Sequence, residues 1–239
     1  MPFYYPYYYY GFNFSDPLYA FSIVLLIVAL VITIIAQAKV KSTFAKFSKV
    51  SSVLTGAEAA EKLLASQGIT NVKIERVSGN LTDHFDPRTN VIRLSEDVYD
   101  KNTVAAVGVA CHEAGHALQY ATGYSPIKLR NAIVPVTRIG STLAVPLILL
   151  GFIFAPFLAT LGVAFYALST FFQLITLPVE FNASRRAVSI IKDYNILYDD
   201  HQISGAKKVL GAAAMTYLGA LLASLAQLLR LISLVNRRR

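Results

Sequence analysis

A chain of 239 residues would suit one or two soluble domains, but 55% hydrophobic residues and a mean hydropathy of +0.50 are too apolar for an ordinary globular surface. The net charge of +8 comes without a zinc-finger spacing, a Gly-rich phosphate loop or any other nucleic-acid module, and its basic residues flank apolar runs, where topology and anionic headgroups account for them. Nucleic acid is therefore excluded as a partner, and the single cysteine excludes an internal disulfide.

The first sixteen residues, MPFYYPYYYYGFNFSD, lack a basic n-region and precede an uncharged run, Leu18 to Ala38, of about the 20 residues that cross a bilayer as helix. This start reads as a signal anchor with an aromatic belt at the outer interface. Lys39, Lys41, Lys46 and Lys49 follow the span and no basic residue precedes it, which places the amino terminus outside and the polar section from Lys39 to Arg138 in the cytoplasm. Within that section, Thr55-Gly56-Ala57-Glu58 is a capping box, with Ala59, Ala60, Leu63 and Leu64 on one face and Gly68 as a stop. It predicts a short amphipathic helix over Thr55 to Gln67, packed on the helix that follows. VKIERV (72 to 77) alternates as a strand does, and NLTDHFDPRTNVIRLS holds a turn at Asp86 to Asn90 between two further strand-like runs. The expectation is a small antiparallel sheet, whose LTDHFDP strand either pairs with an extended substrate or is an ordinary covered hairpin strand.

From Asn102 to about Thr122 the chain is apolar and small until Gly123 and Pro126 end it, predicting a buried helix that carries VACHEAGHALQY. His112 and His116, at i and i+4, project from one face and can present imidazole nitrogens to one ion, with Glu113 beside them to take a proton from water. Such a cluster on an apolar helix is costly unless metal or hydrogen bonds satisfy it. Ala114, Gly115 and Ala117 are small enough to let another helix or a substrate backbone come close. Cys111 points about 100° away around the helix and is read as packing.

The uncharged run from Ile139 to Val179 is long enough for two crossings, with Gly151, Pro156 and Gly162 near its centre. It predicts a tight transmembrane hairpin whose first arm starts near Asn131 and carries Arg138 near the interface. A catalytic zinc takes three protein ligands and leaves a fourth position open. His84 and His201 are candidates for the third. Glu180 is better placed, because it follows the hairpin directly, 64 residues beyond His116, where the chain returns to the membrane level of the motif. The competing reading of Glu180 is a carboxylate that snorkels to the interface or pairs with Arg185. Glu180 to Lys208 carries Arg185, Arg186, Lys192, Lys207 and Lys208 and faces the cytoplasm; His201 there belongs to a helix start that Asp199 and Asp200 complement. A fourth span, Val209 to Leu229, sets the carboxyl terminus outside. Arg237, Arg238 and Arg239 then lie on the unfavoured side, a conflict that a half-inserted or interfacial last helix would remove.

The blocks DHFDPRTNVIRLSEDVY, AAVGVACHEAGHALQY, LRNAIVPV, LPVEFNASRRA and AKKVLGAAAMTYLGALLASL resemble the YugP-type neutral zinc metallopeptidases of bacterial membranes over most of the chain. More distantly the chain is similar to the membrane gluzincins that include HtpX and the prenyl-protein proteases, where a transmembrane hairpin likewise separates H-E-x-x-H from a ligand glutamate. The resemblance implies one Zn²⁺ per chain held by His112, His116 and Glu180, with Glu113 as general base. In the HtpX group an Asp four residues after the ligand Glu orients a zinc-binding histidine; here that position is Ser184, whose hydroxyl is a weaker hydrogen-bonding group for an imidazole. Candidates for stabilising the oxyanion or contacting substrate are His84, Arg185, Arg186 and several tyrosines, and for His84 a structural role on an edge strand competes.

The fold expected is a mainly α integral membrane protein with a zincin-like core, a small antiparallel β element and about four transmembrane helices. Its parts are an N-terminal tail and first span (1–38), a cytoplasmic zincin-like region (39–130), a hairpin (131–179), a third-ligand helix (180–208) and a last span (209–239). The function expected is a multi-pass zinc endopeptidase of the cell membrane, acting at the cytoplasmic face on membrane or membrane-proximal polypeptides. The arrangement leaves room for an oligomer or a partner protein. The alternatives are a metal-binding but inactive scaffold, which would not need Glu113, and a prenyl-protein-type protease. A transporter would need ionisable residues in several spans, and the uncharged 139–179 stretch is poor for that.

Overall fold

The computed structural model describes residues 16–236. The aromatic start and Arg237 to Arg239 lie outside the described residues. In chain order the elements are α1 (Pro17–Phe47), α2 (Gly56–Ser66), β1 (Lys73–Val77), β2 (His84–Asp86), β3 (Val91–Ser95), α3 (Val104–Ala121), α4 (Ser125–Ile153), α5 (Pro156–Asp193) and α6 (Asp200–Asn236).

Among the described residues, α1, α4, α5 and α6 are long and apolar enough to cross a membrane. Their outward faces are apolar: Val24, Ile27, Ile35, Ile139, Val145, Leu149 and Phe157 are all more than half exposed. Side chains of this kind need hydrocarbon rather than water around them. The chain is a multi-pass membrane protein.

Local chemistry sets the ends of these helices. Asp16 caps α1 by accepting from the Leu18 N–H, with Pro17 at the first helical position, where its missing donor costs nothing. Pro126 and Pro156 play the same part near the starts of α4 and α5. Only Phe154 and Ala155 separate these two helices, so the predicted hairpin turns where Pro156 stands. Gly151 faces Ala159 so closely that a Cβ there would collide with backbone, which lets the two arms cross in contact. α1 packs along α6, and α5 along both α4 and α6. Thr170 of α5 and Ser224 of α6 share a buried 2.8 Å hydrogen bond, which satisfies two hydroxyls that lipid could not. Ser233 at the far end of α6 hydrogen-bonds Asp16.

The remaining elements form a cap on one end of the helices. Thr55 and Glu58 form the reciprocal capping box of α2, and the hydrogen bonds from Thr55 hold the Glu58 carboxyl below its ordinary pKa. α2 lays Ala59, Ala60, Leu63 and Leu64 on α3, and these join Phe47, Ile92, Leu94, Val104, Ile191 and Leu197 in one core. The sheet has the order β1-β3-β2. β2 and β3 pair antiparallel across the Asp86 to Asn90 turn, as expected; β1 pairs parallel to β3, Lys73 opposite Val91, so the sheet is mixed rather than antiparallel throughout. Alternation puts side chains on the two faces whichever way a strand runs, so it could not settle direction. The loop between β1 and β2, with Gly79 and Leu81 both at positive φ, carries β2 to the far side of β3.

Candidate metal centre

α3 is buried on nearly every side, and this follows from its composition of Val, Ala and Gly around the motif. α5 lies against it, and Gly115 is what permits the contact: a Cβ at 115 would come within 2.7 Å of the Ala183 carbonyl oxygen. The close approach sets the 180–184 turn of α5 against the 112–116 face of α3. α5 is one continuous helix from Pro156 to Asp193, so Glu180 stands within it, 2% exposed, and Pro178 does not interrupt it.

Glu180 Oε2 lies 3.3 Å from His112 Nε2 and 3.5 Å from His116 Nε2. These are ion-pair distances without hydrogen-bond geometry, and among the described residues Oε2 has no hydrogen-bond donor although it is buried. One donor atom from each of the three residues falls within 4.8 Å of the others. A tetrahedral zinc with bonds of about 2.05 Å separates its ligand atoms by about 3.3 Å, so the spacing from Oε2 to both imidazole nitrogens is that of two edges of such a site. The residues fit a metal ion, and the orphaned Oε2 is the atom a cation would satisfy.

The hydrogen bonds behind the imidazoles set which nitrogen faces inward. Arg186 Nε can only donate, so Asn182 Oδ1 is the acceptor at 2.9 Å; the Val179 carbonyl can only accept, so the Gln119 amide nitrogen faces it at 2.8 Å and also Asn182 Oδ1 at 2.9 Å. The Gln119 oxygen is then turned to His116, whose Nδ1–H donates to it at 3.0 Å, leaving Nε2 with its lone pair toward Glu180. His112 Nδ1 lies 3.1 Å from Ser184 Oγ, a hydroxyl able to accept from Nδ1–H in the tautomer that turns the Nε2 lone pair toward Glu180. Burial by itself pushes the His116 pKa down, but the carboxylates of Glu180 and Glu113 together with Gln119 outweigh it and raise it above the ordinary histidine value. Protons therefore compete with a metal ion for the inward nitrogen.

Gln119 was not singled out in the sequence, although it stands three residues after His116 and hence on the same helix face. Gln119→Ala is expected to weaken zinc binding by about 10–100-fold, the usual size for a group that orients a ligand, and Ser184→Ala by less, since a hydroxyl accepts more weakly. Competition against a chromophoric chelator measures both. Unchanged affinity in Gln119→Ala would remove the orienting role.

Two cavities meet at this cluster, and His112, Glu113, Glu180, Asp83 and Tyr217 line both. The more polar one, about 180 Å³, adds His84, Phe85, Pro87, Ile127, Arg130 and Asn131. The apolar one, about 170 Å³, adds residues such as Val40, Val109, Leu210 and Ala213. Glu113 is 9% exposed, and that exposure is toward these cavities. His84, on edge strand β2, lines the polar cavity while its Nδ1–H donates to the Thr82 carbonyl at 2.7 Å.

Arg185 and Arg186 do not reach either cavity wall. Arg186 is held by Asn182 and Thr122 and stacks on Tyr124, and Arg185 lies in a groove between α5 and α6. The cation that does reach the cluster is Arg130 of α4, with Nη2 3.8 Å from Glu180 Oε1, a buried Nε without a hydrogen-bond partner, and its guanidinium 5.8 Å from the Phe172 ring centroid. His201 sits on Phe47, outside the donor cluster and both cavity walls, while Asp199 caps α6 by accepting from the Gln202 N–H. Cys111 is fully buried, and burial pushes its thiol well up, as expected of a packing residue.

Comparison with known proteins agrees with this geometry. Residues 22–236 match the family described as "Putative neutral zinc metallopeptidase". The Bacillus subtilis (strain 168) protein named "Putative membrane protease YugP" is 47% identical over 213 residues, which covers 88% of this chain and 94% of that protein. No solved structure matches. With a family match that runs from the first span to the end of α6, and a His-His-Glu cluster fit for a metal ion, the chain belongs to the neutral zinc metallopeptidase family.

Proposed function

We propose that this protein is a zinc endopeptidase that cleaves membrane or membrane-proximal polypeptides at the cytoplasmic face, with His112, His116 and Glu180 as ligands and Glu113 as general base. The observation that carries the reading is the convergence of three donor atoms beside a carboxylate, that of Glu113, which faces two cavities. Two imidazoles with one carboxylate favour zinc among the divalent metals. When bound, the ion supplies Lewis-acid polarisation of a carbonyl and acidifies a water molecule.

The chain's own residues supply the rest. Glu113 takes a proton from the attacking water as its oxygen bonds to the scissile carbon, and returns it to the amine nitrogen as the C–N bond breaks. No covalent intermediate is needed. Arg130 and Tyr217, on the walls that face Glu113, stabilise negative charge on the carbonyl oxygen, a role for which the sequence offers His84, Arg185, Arg186 and several tyrosines. β2 is an edge strand beside the polar cavity, which supports backbone pairing with an extended substrate. The cytoplasmic placement rests on the lysines after α1 and the basic residues from Arg185 to Lys208.

Digestion of a detergent-solubilised bacterial membrane fraction with zinc-loaded protein tests the reading. New peptide termini should form, cease with 1,10-phenanthroline and return when zinc is restored. A zinc-loaded protein that cuts nothing would turn the reading to an inactive metal-binding scaffold.

A further inference from the structure

On the side of α5 turned away from the polar cavity, a groove of about 500 Å³ runs between α5 and α6. It is more than three times the roughly 150 Å³ that admits a benzene ring. Phe181, Arg185 and Val188 line it from α5, and Lys207, Leu210, Gly211 and Ala214 from α6, in both cases at the spacing of one helix face. The two helices are antiparallel, so their positions sort by depth. Phe181, Leu210, Gly211 and Ala214 lie toward the membrane-spanning halves, whereas Arg185 and Lys207 lie at the end where the apolar runs give way to charge.

Both cations are exposed, and among the described residues neither makes an ion pair or a hydrogen bond. Along α5 the acid nearest to Arg185 is Glu180, which is buried against His112, His116 and Arg130, and Asp193, two turns beyond Arg185, accepts from Ser189 Oγ at 3.0 Å. Gly211 leaves the groove open, since a Cβ at that position would meet nothing within 4 Å. An apolar trough that starts within the hydrocarbon and ends at two unpaired cations has the charge and depth profile of one molecule class, an amphiphile with an anionic head.

We propose that the α5/α6 groove is a binding site for one anionic phospholipid, with the headgroup phosphate between Arg185 and Lys207 and an acyl chain along Phe181, Leu210, Gly211 and Ala214. The inner end of the groove has a consequence for the metal centre. Ser184, Leu210 and Ala214 line both the groove and the apolar cavity beside Glu113, so a lipid seated here closes that cavity against the bilayer. The floor of the groove includes Ser184, which holds His112. The lipid site stands on its own observations and does not require that the centre be catalytic.

Native mass spectrometry of the detergent-purified full chain, titrated with phosphatidylglycerol or with phosphatidylcholine of the same acyl composition, tests it. One phosphatidylglycerol per chain should be retained at least tenfold more tightly than phosphatidylcholine, and inorganic phosphate should not compete. The double substitution Arg185→Ala/Lys207→Ala should bring phosphatidylglycerol down to the phosphatidylcholine level, whereas Lys39→Ala/Lys41→Ala, equal in charge change on exposed α1, should not. Gly211→Trp fills the trough without altering charge, in open space that accepts the side chain, and should also reduce retention. No headgroup preference in the wild type, or a preference that survives both Arg185→Ala/Lys207→Ala and Gly211→Trp, would overturn the site. Loss with the charge variant alone would overturn the acyl-chain placement, and equal loss with the α1 variant would mean diffuse attraction to surface charge.

Discussion

Glu113→Gln is expected to keep its zinc and to lose peptide hydrolysis by on the order of a thousandfold, the middle of the range for removal of a general base. The substitution preserves shape and hydrogen-bonding size but removes the basic oxygen. Glu113 is not one of the three converging donors, so metal content should stay at one ion per chain. Its carboxylate touches both cavities, so a bound peptide meets it from either side. Paired measurements of zinc content and kcat/KM on the same preparation give the answer. Activity within tenfold of wild type would show that another group takes the proton, and simultaneous loss of zinc would show that Glu113 is needed for the site rather than for the reaction.

Glu180→Gln should do the reverse and remove the metal. An amide is a poor zinc ligand and carries no charge to offset the ion, so affinity should fall by more than the roughly 10–100-fold typical of orienting groups. Stability separates ligation from simple damage. A ligand present at about a thousand times its Kd stabilises the folded state by about 4 kcal/mol, and the wild type should therefore melt at a higher temperature when zinc is added. Glu180→Gln should fold, since an uncharged group replaces a buried carboxylate that has no donor to Oε2, yet its melting temperature should ignore zinc. A zinc-dependent shift equal to that of the wild type would exclude Glu180 as a ligand. The variant also deprives Arg130 of the carboxylate 3.8 Å from it, so some loss of metal-free stability is compatible with the role.

How far the sequence carried these conclusions depended on whether the relevant signal was local. The capping box at Thr55 and Glu58 is written within four residues and was legible, as were the spans, whose uncharged length is itself the physical requirement. His112, Glu113 and His116 lie within one helical turn and a residue, so spacing alone put them on one face. Glu180 was reached by a different argument, that a hairpin returns the chain to the level it left, and the structure sets it 3.3 Å from His112 Nε2. Arg130 was not legible, and nothing in the sequence set Tyr217 apart from the other tyrosines. They reach the cluster from α4 and α6, and which face of a membrane helix turns inward depends on packing against neighbours that periodicity in an all-apolar stretch does not record. The parallel pairing of β1 was hidden for a related reason, because strand order is decided by the loop that carries β2 past β3.

The unbroken course of α5 has a consequence for how the protein is put together. Two donors stand on a helix of the cap and the third on a helix long and apolar enough to span the bilayer, so an ion held by all three would rivet two layers of the fold together. A nascent chain that ends before residue 180 has only half a clasp, however well α3 has formed. The clasp closes once the hairpin has been threaded through the membrane and the Gly115 contact has been made, and a sliding of α5 by one residue, about 1.5 Å, would spring it. Metal retention would therefore report that α3 and α5 have come together in register.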